Sequence, residues 1–144
     1  MKNIFLLFVL FNMSLSLSGQ AIQQIKSETE PLKIVIQVTS DDTLVHKSVI
    51  RQLGNITSVD STLKIEVVCH GPGIEFIHKE KTLLGDKIKM FTEKGVVFNG
   101  CEFTLKERKI EKSKILETAN FVQSALLHIA KRQQMGWSYV KAGF

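Results

Sequence analysis

The chain alternates between two hydrophobic patterns. Leu32 to Thr39 (LKIVIQVT), Leu63 to Cys69 (LKIEVVC) and Val96 to Asn99 are short, β-branched, nearly continuous apolar runs. Such runs mark strands buried on both faces, as in parallel sheets. Asn120 to Val122 and Trp137 to Ala142 (WSYVKA) read as a fourth and a fifth strand. Between the runs, apolar residues recur at helical spacing. Leu44, Val45, Val49, Ile50 and Leu53 predict a first helix ending near Ser58, behind N-cap candidates at Ser40-Asp41-Asp42. Ile88, Met90 and Phe91 predict a helix capped by Asp86 and closed by Gly95, and a further helical piece carries Phe103, Leu105 and Ile110. Leu126, Leu127, Ile129, Ala130 and Met135 predict a last helix between Ser124 and Gly136. Ile74, Phe76 and Ile77 form an apolar patch suited to a short helix or a lid. Strands alternating with helices imply right-handed βαβ crossovers, hence a parallel sheet covered on both faces.

The amino terminus has a different character. Lys2 precedes an apolar stretch from Ile4 to Leu17, and small residues follow at Ser18, Gly19 and Ala21. That is the order of a secretory signal peptide. The stretch falls short of the ~20 residues that span a bilayer. The expected division is a signal peptide over 1–21, a polar linker over 22–31 ending at Pro31, and one α/β domain over 32–144. The mature protein is expected to be exported, to a periplasm or the exterior, and free of the membrane.

Composition narrows the class further. With 144 residues, 44% hydrophobic and 23% charged, the chain suits one ordinary domain. The net charge of +5 is spread over positions such as Lys87, Lys94, Lys106, Arg108, Lys112 and Arg132, with glutamates between them. No basic stripe interleaved with aromatics appears, so a nucleic-acid partner is not expected. Two cysteines are too few for a disulfide scaffold. The histidines His46, His70, His78 and His128 fall in different elements, so no metal and no cofactor are expected. A nucleophile elbow and a Walker loop are both missing, which weakens hydrolase and nucleotide readings.

Cys101 is the leading candidate for chemistry. It follows the third strand in Gly95-Val96-Val97-Phe98-Asn99-Gly100-Cys101 and directly precedes a helix. Ligands of open α/β sheets gather at the carboxyl ends of strands. A cysteine there, close to a helix amino terminus, is placed to act as a thiolate, although the adjacent Glu102 opposes ionisation. The alternative is a small buried hydrophobe at a tight turn. Cys69 ends the second strand, and three readings stay open for the pair: independent thiols, a reversible redox couple, or a structural disulfide. His70 could orient a ligand or act as a base, and the Gly71-Pro72-Gly73 turn could offer backbone N–H groups to an anion. Trp137 and Tyr139 read as packed strand residues.

Three stretches together resemble the DsrE/DsrF-like family, in its small single-domain branch. They are His70-Gly71-Pro72-Gly73, then Lys94 to Lys106 with its Phe98-x-x-Cys101-x-x-Thr104-Leu105-Lys106 core, then Gln134 to Lys141. The resemblance spans about Leu32 to Lys141. It implies a three-layer α/β/α fold with about five mostly parallel strands, and homo-oligomers, commonly trimers or hexamers. It also implies a sulfur-handling role, as a sulfur carrier or sulfurtransferase, with Cys101 accepting sulfane sulfur as a persulfide and passing it between donor and acceptor proteins. The competing classes are a small-ligand-binding or assembly module of the same fold, and a Cys69/Cys101 thiol–disulfide protein.

Overall fold

The computed structural model describes residues 30–143. The leader read over 1–21 and nearly all of the 22–31 linker lie outside the described residues. The elements run in the order β1 (Lys33–Val38), α1 (Thr43–Val59), β2 (Lys64–Cys69), a 3-10 helix (Gly71–Ile77), α2 (Gly85–Glu93), β3 (Val97–Cys101) and α3 (Glu102–Glu107). A 3-10 turn (Lys112–Lys114), β4 (Ala119–Val122), α4 (Ala125–Gln134) and β5 (Ser138–Lys141) complete the domain.

The five strands form one parallel sheet in the order β4-β3-β2-β1-β5. From β1 to β4 the chain steps in one direction, and the last crossover carries it back past β1 to β5. Right-handed crossovers taken in opposite directions must lie on opposite faces. Accordingly α1 and α2 pack on one face and α4 on the other, giving three layers.

Strand alternation assigns each residue to a face. Ile36, Val38, Ile65, Val67, Cys69 and Phe98 meet Val49 and Leu53 of α1, Ile88 and Phe91 of α2, and Ile74, Phe76 and Ile77 of the 3-10 helix. This is the main core, in which Phe76 meets Phe98 edge-on with ring centroids 6.1 Å apart. The second face is smaller: Val35, Val68 and Cys101 lie under Ala125 and Ile129 of α4.

Several expectations from the sequence change in detail. The helix α2 has Leu84 at its N-cap with no side-chain cap, and Asp86 sits in the first turn instead, where a carboxylate suits the helix dipole. The strand β3 extends to Cys101 rather than stopping at Asn99. The apolar patch around Phe76 is a 3-10 helix laid across the end of β1. Glycine at position 73 permits this, since a Cβ there would stand 2.2 Å from the Val38 carbonyl oxygen. Other signals match the structure. The Asp42 carboxylate accepts from Leu44 N–H at 2.8 Å, Ser124 caps α4, and Gly95 follows α2 with φ +91.

Candidate functional site

Cys101 is both the last residue of β3 and the N-cap residue of α3. Alternation along β3 sends its side chain to the α4 face, so its sulfur makes no capping bond to α3. Instead Sγ accepts the Ala125 N–H at 3.4 Å, in the first turn of α4. The Gln123 carbonyl oxygen lies 3.9 Å from Sγ, a position from which it can accept a weak bond from the thiol. A helix amino terminus supplies donors and partial positive charge to a negative sulfur. The sequence anticipated such a terminus, but that of α3 rather than α4. The residue is 5% exposed, with Val35, Val68, Ala125 and Ile129 around it. The Glu102 carboxylate, which opposed ionisation on the sequence alone, is paired with Lys112 at the surface.

His70 lies one register position beyond the Cys69–Gly100 pair, which places it beside Cys101 on the same face of the sheet. Its Nε2 is 2.7 Å from Gln37 Nε2, while Gln37 Oε1 accepts the Tyr139 hydroxyl. With Gln37 Nε2 as the donor, His70 Nε2 is the acceptor, an arrangement that suits a neutral imidazole protonated on Nδ1. Burial pushes the imidazole below its ordinary value, in the same direction. A polar chain therefore crosses β5, β1 and β2 at the carboxyl rim. Tyr139 belongs to that chain and is partly exposed, in contrast to the packed strand residue expected.

The Gly71 and Gly73 amides are not presented to a ligand. Gly71 N–H donates to Thr104 Oγ1 at 3.0 Å, and Gly73 N–H donates to the His70 carbonyl at 3.1 Å. The turn is thus closed onto the rest of the chain, and the anion cradle expected from its glycines is replaced by a structural junction. Cys69 is also redirected. It faces the main core, fully buried, and burial drives its thiol far above the ordinary cysteine value. Both cysteines are free, and they leave opposite faces of the sheet. Strand spacing of ~4.8 Å made a disulfide thinkable, but it applies to side chains on one face. The redox-couple reading is corrected on that ground.

Three further residues of this face were missed. Glu66, 5% exposed, accepts from Arg132 Nη2 at 2.6 Å and Arg132 Nε at 3.0 Å, and its Oε2 lies 2.6 Å from His128 Nε2. This triad ties α4 to β2. Gln37 holds His70. Asn99 is 5% exposed, and its Nδ2 has no hydrogen-bond partner. A signal was available, because β1, β2 and β3 each carry one of these polar residues inside an apolar run. Register places all three on one face.

A parallel three-layer α/β/α domain with a thiol at the carboxyl rim of its sheet defines the class. The chain belongs to the DsrE/DsrF-like family, which it matches over residues 33–142. Among solved structures it is similar to MTH1491 of Methanobacterium thermoautotrophicum, described as a protein of unknown function. The identity is 25% and the TM-score 0.73, covering 76% of this chain and 98% of that one. It also shares its fold with BT1422 of Bacteroides thetaiotaomicron, likewise described as of unknown function, at 14% identity and TM-score 0.62 over 76% and 93% of the two chains. The ychN protein of E. coli has the same fold at 12% identity and TM-score 0.57, over 81% and 100%. No curated protein matches the chain.

Proposed function

We propose that this protein is an exported, homo-oligomeric sulfur carrier that holds sulfane sulfur as a persulfide on Cys101. The observation behind the reading is the Cys101 sulfur at the sheet rim, receiving a backbone N–H at 3.4 Å from the first turn of α4. In the step, the Cys101 thiolate attacks the outer sulfur of a donor hydropersulfide. A new S–S bond forms to Cys101, the donor's S–S bond breaks, and the donor leaves as its thiolate. An acceptor thiolate later attacks the outer sulfur and releases Cys101 as thiolate, so no external oxidant or reductant is consumed. The Ala125 N–H supports the negative sulfur at the start and end of each transfer. Near-burial of Cys101 requires the rim to open for donor and acceptor.

The leader-like segment over 1–21 supports export to a periplasm or the exterior. Exposed Phe103 of α3, Leu126 and Leu127 of α4 and Met135 at the C-cap of α4 support self-association, since exposed large apolar side chains are a feature of protein contacts. One observation favours a rival. At 5% exposure Cys101 also suits a packing residue in a non-catalytic assembly or small-ligand module. Intact mass after incubation with inorganic polysulfide decides between them. The carrier gains the mass of sulfur on wild type and on Cys69→Ser, and none on Cys101→Ser. No gain on wild type, or equal gain on Cys101→Ser, ends the proposal.

A further inference from the structure

Asn99 Nδ2 is the one buried side-chain nitrogen or oxygen without a partner among the described residues. Native structures keep few such atoms, and each calls for a reason. Asn99 lies on β3 between Val68 and Asn120 in register, two residues before Cys101. The two side chains therefore leave the same face, ~6.6 Å apart along the strand. A persulfide extends Cys101 by one S–S bond of about 2 Å. The inner sulfur already has a donor in Ala125 N–H. The outer sulfur of a persulfide needs one of its own.

We infer that Asn99 Nδ2–H is the donor that holds the outer sulfur of a Cys101 persulfide, an assignment that rests on the carrier reading. After transfer, the Cys101 hydropersulfide releases its proton to solvent and becomes an anion. Asn99 donates to that terminal sulfur, and no covalent bond to Asn99 forms or breaks. The buried donor, idle beside the free thiol, is satisfied only in the loaded protein. Asn99 is thereby a residue that distinguishes a terminal sulfur anion from the bare thiol.

The test uses the mature chain as wild type, Asn99→Leu, Asn99→Ser and Cys101→Ser. Each is loaded with inorganic polysulfide, freed of donor, and followed by intact mass and by the pH dependence of persulfide alkylation. Removal of the donor is expected to shorten sulfur retention about tenfold and to raise the ionisation midpoint of the persulfide by about one pH unit. Asn99→Leu is expected to withstand urea at least as well as wild type, because it removes an orphaned polar group. A merely structural Asn99 would move stability and leave the midpoint in place. Should Asn99→Leu fail to fold, Asn99→Ser reads the same two quantities. Wild type that takes up no sulfur overturns the carrier reading and this assignment together. Wild type that loads, with retention and midpoint unchanged in both variants, overturns the Asn99 assignment alone and leaves the carrier standing.

Discussion

Replacing Gly73 by alanine tests whether the His70-Gly71-Pro72-Gly73 turn is a binding loop or a junction. An alanine Cβ at position 73 would stand 2.2 Å from the Val38 oxygen, 2.5 Å from the Val38 carbonyl carbon and 2.8 Å from Thr39 Cα. All three are backbone atoms at the end of β1, so no side chain can swing aside. Relief requires the 3-10 helix to rise by about 1 Å, a shift of the kind that overpacking forces at a cost of about 1–3 kcal/mol. The same Val38 oxygen accepts His70 N–H at 3.1 Å, and losing that bond adds about 1 kcal/mol. Ile74, Phe76 and Ile77, all fully buried, would be drawn from the main core as well. Together these give a loss of about 4 kcal/mol. With a urea slope of about 2 kcal/mol/M, the midpoint falls by about 2 M. Gly71→Ala is the control. Gly71 has φ +54 and nothing within 4 Å of its Cβ position, so alanine meets only the left-handed backbone penalty, about 1 kcal/mol. Equilibrium urea unfolding followed by circular dichroism measures both. A Gly73→Ala midpoint within about 0.5 M of wild type, or a larger loss in Gly71→Ala than in Gly73→Ala, would refute the packing argument.

Two further outcomes follow from the site. Cys69, fully buried with its thiol pushed upward, should resist iodoacetamide in the native protein and react only after unfolding, and reductant should leave the count of free thiols unchanged; native labelling of Cys69, or a count that rises with reductant, contradicts the opposed-face geometry. His70 is held below its ordinary value by burial, so the unfolded chain takes the proton first. Its stabilising contribution is full above the unfolded value of about 6.5 and is lost as pH falls from there toward the lower folded value. Thermal unfolding between about pH 7.5 and pH 5 should therefore fall less steeply for His70→Gln than for wild type, and identical slopes would remove the linkage.

Particular residues show how much was readable from the chain. The runs at 32–39 and 63–69 became β1 and β2 almost residue for residue, because a parallel strand buried on both faces has no polar face to blur its pattern. The caps at Asp42, Ser124 and Gly95 were readable because capping is local chemistry. Asp86 misled because a capping residue type was present two residues beyond Leu84, where the backbone needed it. The site was harder. Tyr139, Gln37 and His70 come from three separate strands or strand ends, and their hydrogen bonds span 33 and 102 residues of sequence. Cys101 was visible as a strand-end thiol, but the helix whose amides reach it begins 24 residues later.

The alternation of strands and helices, and the placement of both cysteines at strand carboxyl ends, were legible along the chain. These rest on hydrophobic period and on short-range steric rules, which act within a few residues of each position. The folded sheet sets which face each thiol occupies, which helix terminus meets Cys101, and which partners the Gly71 and Gly73 amides take. Those outcomes depend on strand order and register, which arise when the whole sheet closes its core and are written in no single stretch of the chain.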